Sequence, residues 1–258
     1  MAFSAFPPVS PIVPLRSILC CDALEWLTQQ SSNGIENIIT GIPDAYELKN
    51  TETGEYIDFF QTAAQLIFTR VAEDGYAIFI QTDRKKNKTW ISKSTILITA
   101  AHALGFKLVW HKIILNRDLG ATDLFRPTYA HMLCFTKTGT SGAATPDVLP
   151  VSTRIYANAT PIDAVIHAVD FIKKYIKKQG EIVDPFMGRG TVAVVANKYG
   201  FRVRGVDNDP EQVAKALVAD FVLPEAKGQK TRLKREPKAS KASKVPRLPV
   251  LKIHKIKK

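Results

Sequence analysis

The sequence predicts an α/β fold, a three-layer sandwich in which helices cover both faces of a seven-stranded, mostly parallel sheet. Short apolar runs of strand length alternate along the chain with longer segments whose apolar residues recur every three or four positions, which is the pattern of βα units. At residues 184–191 a glycine-containing turn joins one apolar run to a helix-forming segment, a connection typical of parallel sheets.

The first 136 residues supply five of the seven expected strands. These strands are predicted at 16–21, 36–40, 76–80, 106–115 and 129–136. Apolar side chains at helical spacing predict a helix over 55–72, which Asp74 and Gly75 should end. A second helix is expected from about Ser92 to Leu104, with Gly105 as its cap. The segments 81–88 and 116–127 are interpreted as polar loops, and 138–153 as a linker.

A helix over 161–178 opens the second half of the sheet. Thr160 is its expected N-cap, Pro161 suits the first turn, and Asp163 lies where a capping acid belongs. The remaining strands are expected at 181–183 and 203–206, with a helix at 210–220 that begins with Pro210.

The turn at 184–191 carries the clearest functional signal. Gly188 and Gly190 allow the backbone to pass close to a ligand, where a Cβ atom would collide. Asp207 follows Asp184 by 23 residues at the end of the next strand, the position at which such sheets bind ribose hydroxyls. These residues predict a nucleoside cofactor, the alternative being a glycine turn without a ligand. Because no third glycine opens the helix, an adenosine cofactor other than NAD is favoured.

Charge is distributed unevenly along the chain. Residues 226–258 contain 13 Lys and Arg residues and one acid, so this segment carries the whole net charge of +12. We therefore expect an N-terminal extension at 1–15, a neutral folded domain at 16–225 and a basic, disordered tail at 226–258. Such a tail attracts phosphates and can also act as a nuclear address in a eukaryote.

Other bulk properties exclude several protein classes. The longest apolar runs fall short of the roughly 18 residues that span a bilayer, and the first 16 residues lack the pattern of a secretory signal. The three cysteines have no metal-ligand spacing and are interpreted as buried thiols in a reducing compartment. We expect an intracellular protein without a metal site, nuclear in a eukaryote and otherwise cytoplasmic.

The motif Asp-Pro-Phe-Met-Gly-Arg-Gly-Thr at 184–191 resembles the cofactor motif of S-adenosylmethionine-dependent amino-methyltransferases that act on nucleic acids. Residues 22–27, 38–40 and the helix opened at Thr160 are similar to further parts of the beta class of adenine-N6 and cytosine-N4 DNA enzymes. In that class the catalytic region precedes the cofactor region. The resemblance covers about 16–220 and implies a Rossmann-like sheet in circularly permuted methyltransferase order.

The resemblance also implies roles for particular residues. Asp207 should hold the ribose hydroxyls and Asp22 the adenine amino group, although Asp22 could instead cap the following helix. Thr160 and Pro161 should contact the methionine part of the cofactor. The implied cofactor pocket is formed by Asp22, Thr160, Pro161, Asp184, Phe186, Gly188, Gly190, Thr191 and Asp207.

The catalytic turn departs from the family. The family has Asp, Asn or Ser, then two prolines and an aromatic residue, whereas residues 41–44 are Gly-Ile-Pro-Asp and only Pro43 matches. In one interpretation Asp44 accepts the hydrogen bond of the target amine and Tyr46 stacks on a flipped base. In a second, the acceptor is Asp83, which follows a central strand. In a third, methyl transfer is lost.

The expected function is S-adenosylmethionine-dependent methylation of an exocyclic amino group in nucleic acid, with DNA favoured over RNA. The basic tail and the loops 81–90 and 116–128 should bind this substrate, and a protein partner could select the target because both loops are small. One alternative is a methyltransferase-like protein that binds RNA or a ribonucleoprotein as a scaffold. Another is a small-molecule methyltransferase, which the basic tail makes less natural.

Overall fold

A computed structural model of the chain describes residues 16–48, 52–86, 89–124, 126–140, 144–156, 158–175 and 180–223. The expected N-terminal extension at 1–15 and the basic tail at 226–258 lie outside these ranges.

Helices and strands alternate as the apolar pattern predicts. The strands are β1 (Arg16–Cys20), β2 (Ile35–Thr40), β3 (Val71–Gln81), β4 (Arg84–Lys86), β5 (Thr89–Ile91), β6 (Lys107–Leu115), β7 (Tyr129–Thr136), β8 (Val148–Leu149), β9 (Glu181–Asp184) and β10 (Arg202–Asp207). The helices are α1 (Ala23–Gln29), α2 (Thr53–Arg70), α3 (Lys93–Ala103), α4 (Ile162–Tyr175), α5 (Thr191–Lys198) and α6 (Pro210–Val218). None of these helices is both long and apolar enough to cross a membrane.

One eight-stranded sheet forms the middle layer, in the order β1-β10-β9-β2-β3-β7-β6-β8. Strands β1, β10, β9, β2 and β3 pair in parallel, whereas β7 is antiparallel to both β3 and β6. All seven expected strands lie in this sheet, so the predicted α/β class with a mostly parallel sheet is confirmed.

Two segments expected to be irregular contain strands. Strand β8 lies within the expected linker and extends the sheet by pairing in parallel with β6. Strands β4 and β5 form a separate antiparallel hairpin, in which β4 lies within the expected polar loop at 81–88 and β5 follows it. Both additions are only two or three residues long, which is too short for a periodic apolar pattern.

The end of α2 differs from the expectation. The helix ends at Arg70 and β3 begins at once with Val71, which pairs with Ile35 of β2. Asp74 and Gly75 therefore lie inside β3, where the register with β2 shifts. A Cβ atom at Gly75 would collide with the carbonyl oxygen of Glu36, so the glycine allows the close approach of the two strands.

Each face of the sheet carries its own apolar core. Helices α1, α2 and α3 pack on one face, and α4 and α5 pack on the other. On the first face the buried ring of Phe68 lies with its centroid 5.0–5.3 Å from those of Phe79, Phe106 and Phe135. Since five neighbouring strands are parallel, their carboxyl ends meet at one edge and present Asp22, Gly41, Gln81, Asp184 and Asp207 there.

Candidate functional site

A cavity of about 580 Å³ opens at the carboxyl edge of the parallel strands. Its volume falls in the range of small-molecule and cofactor sites. Eight of the nine residues expected around a cofactor line it: Asp22, Thr160, Pro161, Asp184, Phe186, Gly188, Thr191 and Asp207. The ninth, Gly190, forms the N-cap of α5.

The glycine turn has the backbone conformation that the sequence predicts. Gly188 and Gly190 have φ angles of +54° and +81°, in the left-handed region that favours glycine. A Cβ atom at Gly188 would lie 2.7 Å from the hydroxyl oxygen of Tyr156. A Cβ atom at Gly190 would lie 3.2 Å from the Cβ of Ala216 in α6, so this glycine serves close packing of α5 against α6.

Asp207 ties the glycine turn to the end of β10. Its Oδ2 accepts a hydrogen bond from the amide of Gly188 at 2.9 Å, and its Oδ1 accepts one from the amide of Asp209 at 2.9 Å. Burial raises the pKa of Asp207, and the two amide hydrogen bonds oppose that rise. Because each carboxylate oxygen has two acceptor positions, both oxygens retain capacity for a ligand hydroxyl.

Asp184 is fully buried at the start of the same turn. Its Oδ1 accepts hydrogen bonds from the hydroxyl of Thr40 at 2.7 Å and from the amide of Phe186 at 3.2 Å. Burial raises the pKa of Asp184 to about 7. The carboxyl group therefore joins the end of β2 to the turn that follows β9, and it fixes the backbone of Phe186.

Asp22 caps α1. Its Oδ1 accepts hydrogen bonds from the amides of Leu24 and Glu25 at 2.8 and 2.9 Å, the geometry of the alternative considered for this residue. Asp22 also lines the cavity. Both hydrogen bonds use Oδ1, so helix capping is compatible with a contact between Oδ2 and a ligand.

The N-terminus of α4 brings Thr160 and Pro161 to the cavity wall. The amide of Asp163 donates to the hydroxyl of Ser152 at 3.0 Å, and the amide of Ile162 donates to the carbonyl of Thr153 at 3.0 Å. The segment after β8, interpreted from sequence as a linker, thus supports the entry of this helix.

The variant turn at 41–44 also lines the cavity. A Cβ atom at Gly41 would lie 2.8 Å from the carbonyl oxygen of Ile80 in β3. The side-chain amide of Gln81 donates to the carbonyl of Ile42 at 2.8 Å, and the hydroxyl of Tyr56 donates to the carbonyl of Pro43 at 3.3 Å. The backbone of this turn is therefore held by side chains from β3 and α2.

Asp44 forms two ion pairs. Its carboxylate lies 3.2 Å from the ammonium group of Lys93 and 3.3 Å from the guanidinium group of Arg84. The side chain of Lys93 is only 1% exposed, and burial lowers its pKa while Asp44 raises it. The ammonium also lies 5.6 Å from the ring centroid of Tyr56, so a carboxylate and an aromatic ring stabilise this buried cation.

Asp83 lies deeper, with its side chain 3% exposed. Its Oδ1 accepts from the amides of Lys93 (2.8 Å) and Ser94 (3.3 Å). Its Oδ2 is bonded to Trp90 Nε1 (2.9 Å) and His131 Nε2 (3.2 Å). Burial alone would raise the pKa of Asp83, but the hydrogen bonds from His131 and Trp90 bring it below its usual value. All four acceptor positions of this carboxylate are used.

A second cavity of about 330 Å³ adjoins the first, and Asp44, Tyr46, Thr82, Arg154 and Asn158 line both. Four arginine residues contribute to its wall: Arg84, Arg117, Arg126 and Arg154. Tyr46 is partly exposed, and the guanidinium groups of Arg84 and Arg126 lie 5.6 and 5.4 Å from its ring centroid. The two loops expected to contact nucleic acid thus approach each other around one aromatic ring.

Several residues of these cavities were not found from the sequence. Gln81, Arg154, Tyr156 and Gln212 line the larger cavity and belong to none of the motifs. The fold brings these residues to the cavity from distant parts of the chain. For Gln81 the sequence does hold a signal, because it lies at the end of a predicted strand, two residues before Asp83. Among the described residues there is no cluster of three His, Cys, Asp or Glu side chains that could hold a metal ion.

No protein-family model matches the chain, and no curated protein matches it. Solved structures, in contrast, do align with the chain. A cytosine-N4-specific DNA methyltransferase, PvuII, aligns with a TM-score of 0.64 and 17% identity over 79% of this chain and 87% of its own. The chain has the fold of this enzyme.

A second solved protein also shares the fold of this chain. TTHA0409 of Thermus thermophilus, a proposed DNA modification methylase, aligns with a TM-score of 0.61 and 15% identity over 78% of this chain and 92% of its own. Its complex with S-adenosyl-L-methionine aligns with a TM-score of 0.59 and 15% identity over 78% and 91%. These alignments confirm the Rossmann-like fold that the motifs implied.

Proposed function

We propose that this chain is an S-adenosylmethionine-dependent methyltransferase that modifies an exocyclic amino group of a nucleic-acid base, with DNA favoured over RNA. The observation that carries the proposal is the cavity at the sheet edge, where the glycine turn and Asp207 lie together. The solved complex of TTHA0409 with S-adenosyl-L-methionine, which has the same fold, supports the choice of cofactor.

The residues of this cavity fit the proposed cofactor. Its volume of about 580 Å³ suits a nucleoside with an amino-acid arm, and the left-handed Gly188 allows close approach of the backbone. Asp207 would accept the two ribose hydroxyls, and Asp22 would accept from the adenine amino group. Phe186 would pack against the adenosyl part, while Thr160 and Pro161 would hold the methionine end. When bound, the cofactor supplies a methyl group that its sulfonium has already activated, so alignment is the main requirement for transfer.

The second cavity is the proposed substrate side. Tyr46 would stack on the target base, because an aromatic ring between two guanidinium groups suits a base with neighbouring phosphates. Arg84 and Arg126 would contact those phosphates. We propose that the loops 81–90 and 116–128, together with the basic tail at 226–258, guide nucleic acid to this cavity.

The two carboxylates proposed as amine acceptors have different environments. Asp83 uses all four acceptor positions for Trp90, His131 and the first turn of α3, which favours a role in positioning that helix. Asp44 is partly exposed at the turn itself and remains the better of the two. Its carboxylate is nevertheless already paired with Lys93 and Arg84, so a target amine would have to share it with both cations.

Transfer of a labelled methyl group tests the proposal directly. Purified full-length protein is incubated with methyl-labelled S-adenosylmethionine and with separate pools of single-stranded DNA, duplex DNA and RNA. We expect label in DNA at a higher rate than in RNA, and no label with Asp207→Ala. Cofactor binding without label in any pool would instead favour the scaffold function.

The role of the tail has its own experiment. Deletion of 226–258 should weaken binding of nucleic acid and make it less sensitive to salt, because the tail carries the entire net charge. Cofactor affinity should not change. An unchanged salt dependence after deletion would contradict a phosphate-binding tail.

A further inference from the structure

Position 41 of the variant turn has no side-chain acceptor because the sheet leaves no room for one. At the end of β2, a Cβ atom on Gly41 would lie 2.8 Å from the carbonyl oxygen of Ile80 in the neighbouring strand β3. Contacts this short require the backbone to move. A side chain at position 41 is therefore incompatible with the spacing of β2 and β3 at this edge.

The neighbouring strand ends in a side chain that reaches the same turn. Gln81 lines the larger cavity and is only 5% exposed. Its Nε2 donates a hydrogen bond to the carbonyl of Ile42, the residue directly after Gly41, at 2.8 Å. This bond fixes the orientation of the amide, since exchanging nitrogen and oxygen would place two oxygens against each other.

The other end of this amide has no protein partner. Within the described ranges of the chain, Oε1 of Gln81 is buried and forms no hydrogen bond. Buried side-chain oxygens are nearly always hydrogen-bonded in folded proteins, so an unpaired one in a cavity wall indicates a position for a ligand donor. Two further acceptors close to the turn are engaged, since Asp83 is saturated and Asp44 is paired with Lys93 and Arg84.

We propose that Oε1 of Gln81 accepts a hydrogen bond from the amino group of the substrate base, the contact that Gly41 cannot make. The inference rests on the proposed function and adds a catalytic residue to it. The hydrogen bond orients the amine so that its nitrogen lone pair faces the methyl group.

The chemical balance requires no further co-reactant. A bond forms between the nitrogen and the methyl carbon, the bond between that carbon and sulfur breaks, and its electron pair remains on sulfur. The nitrogen then loses one proton to solvent water. A neutral amide suits the position, because it donates to Ile42 and accepts from the substrate at the same time, which an ionised carboxylate cannot do.

Binding of matched oligonucleotides tests the contact without relying on turnover. Single-stranded probes carry either adenine or purine, and either cytosine or pyrimidin-2-one, so that each pair differs only in the exocyclic amine. Wild-type protein should prefer the amine-bearing member of one pair about three- to tenfold, the effect of a single hydrogen bond. In Gln81→Met this preference should fall to near one.

Tyr56→Phe is the matched control. It removes the hydrogen bond to the carbonyl of Pro43 in the same turn but leaves Gln81 in place, and it should retain the preference. If Gln81→Met does not fold, Gln81→Leu gives the same comparison. Equal preferences in wild type and the Gln81 variant, or none in wild type, would overturn the inference.

The two proposals fail in different ways. If the wild type prefers the amine, the Gln81 variant loses that preference and neither incorporates methyl label, the contact with Gln81 stands and the enzymatic function falls. If the wild type incorporates label and the Gln81 variants do so at the same rate with the same preference, the function stands and the inference falls.

Discussion

Removal of the Asp207 carboxylate should abolish most of the affinity for S-adenosylmethionine. In the proposed complex this carboxylate accepts two ribose hydroxyls, and hydrogen bonds to a charged group contribute about 1.5–3 kcal/mol each. It also holds the amides of Gly188 and Asp209, both at 2.9 Å. Since the losses overlap, we expect Asp207→Ala to reduce the binding free energy by about 3–5 kcal/mol, or roughly 150- to 5,000-fold in the dissociation constant.

Isothermal titration calorimetry with S-adenosylmethionine measures this change. Asp207→Asn serves as an intermediate variant, because it keeps the shape of the side chain but replaces one acceptor oxygen by a donor that faces a backbone amide. Asp220→Asn is the matched control. Asp220 is an exposed carboxylate, paired with Lys198 at 2.7 Å, and does not line the cavity.

Weaker binding could come from the missing ribose contacts or from a variant that no longer folds. Thermal unfolding of each variant without cofactor shows whether the protein stays folded when the glycine turn loses its hydrogen bond to Asp207. A folded Asp207→Ala protein that binds within threefold of wild type would refute a ribose contact at this position. A loss as large in Asp220→Asn would point to a general effect of removing charge.

Three further predictions concern stability. Because burial raises the pKa of Asp184 to about 7, the native chain binds more protons than the unfolded chain between about pH 4 and 7. The free energy of unfolding should therefore fall by up to ~4 kcal/mol as the pH rises through that range. Urea titrations of Asp184→Asn should lack this fall, and the same pH dependence in wild type and variant would contradict the prediction. Asp44→Asn leaves the buried ammonium of Lys93 without its carboxylate and should lower the free energy of unfolding by about 3–5 kcal/mol. Lys93→Met removes the buried cation itself and should cost less. Equal losses for the two variants in denaturant titrations would refute this difference. Gly190→Ala should cost about 1–3 kcal/mol more than Gly105→Ala, since both glycines have positive φ but only the first is tightly packed; similar melting temperatures would contradict the difference.

The sequence predicts those parts of the fold that have local signals. All seven expected strands lie in the sheet, because short apolar runs bounded by turn residues are a local signal for buried strands. Strand β8 has no such signal, since its two residues form a strand only through pairing with β6. The early start of β3 likewise depends on Ile35 of another strand. Pairing between distant residues is what the pattern of one segment cannot reveal.

The same distinction divides the candidate site. The core of the proposed cofactor site is local, because a strand, a glycine turn and an acid at the next strand end are close in sequence. Asp22, Thr160 and Pro161 are distant in sequence, and the fold brings them to the same cavity. The substrate half depends on distant contacts. Asp83 has the sequence position of an edge carboxylate, yet His131 of β7 and the start of α3 surround it.

We attribute the proposed acceptor role of Gln81, in place of a side chain at position 41, to the close spacing of β2 and β3 at this edge of the sheet. The carbonyl oxygen of Ile80 in β3 would lie 2.8 Å from a Cβ atom at position 41, so the backbone of β3 leaves no room for a side chain there. Here β3 fills the space, and the amide of Gln81 is bonded to the turn that would otherwise carry the acceptor. We therefore expect the acceptor at the end of β3 and not within the turn. In a chain of this fold whose turn begins with glycine, the residue at the end of the adjacent strand is the place to test.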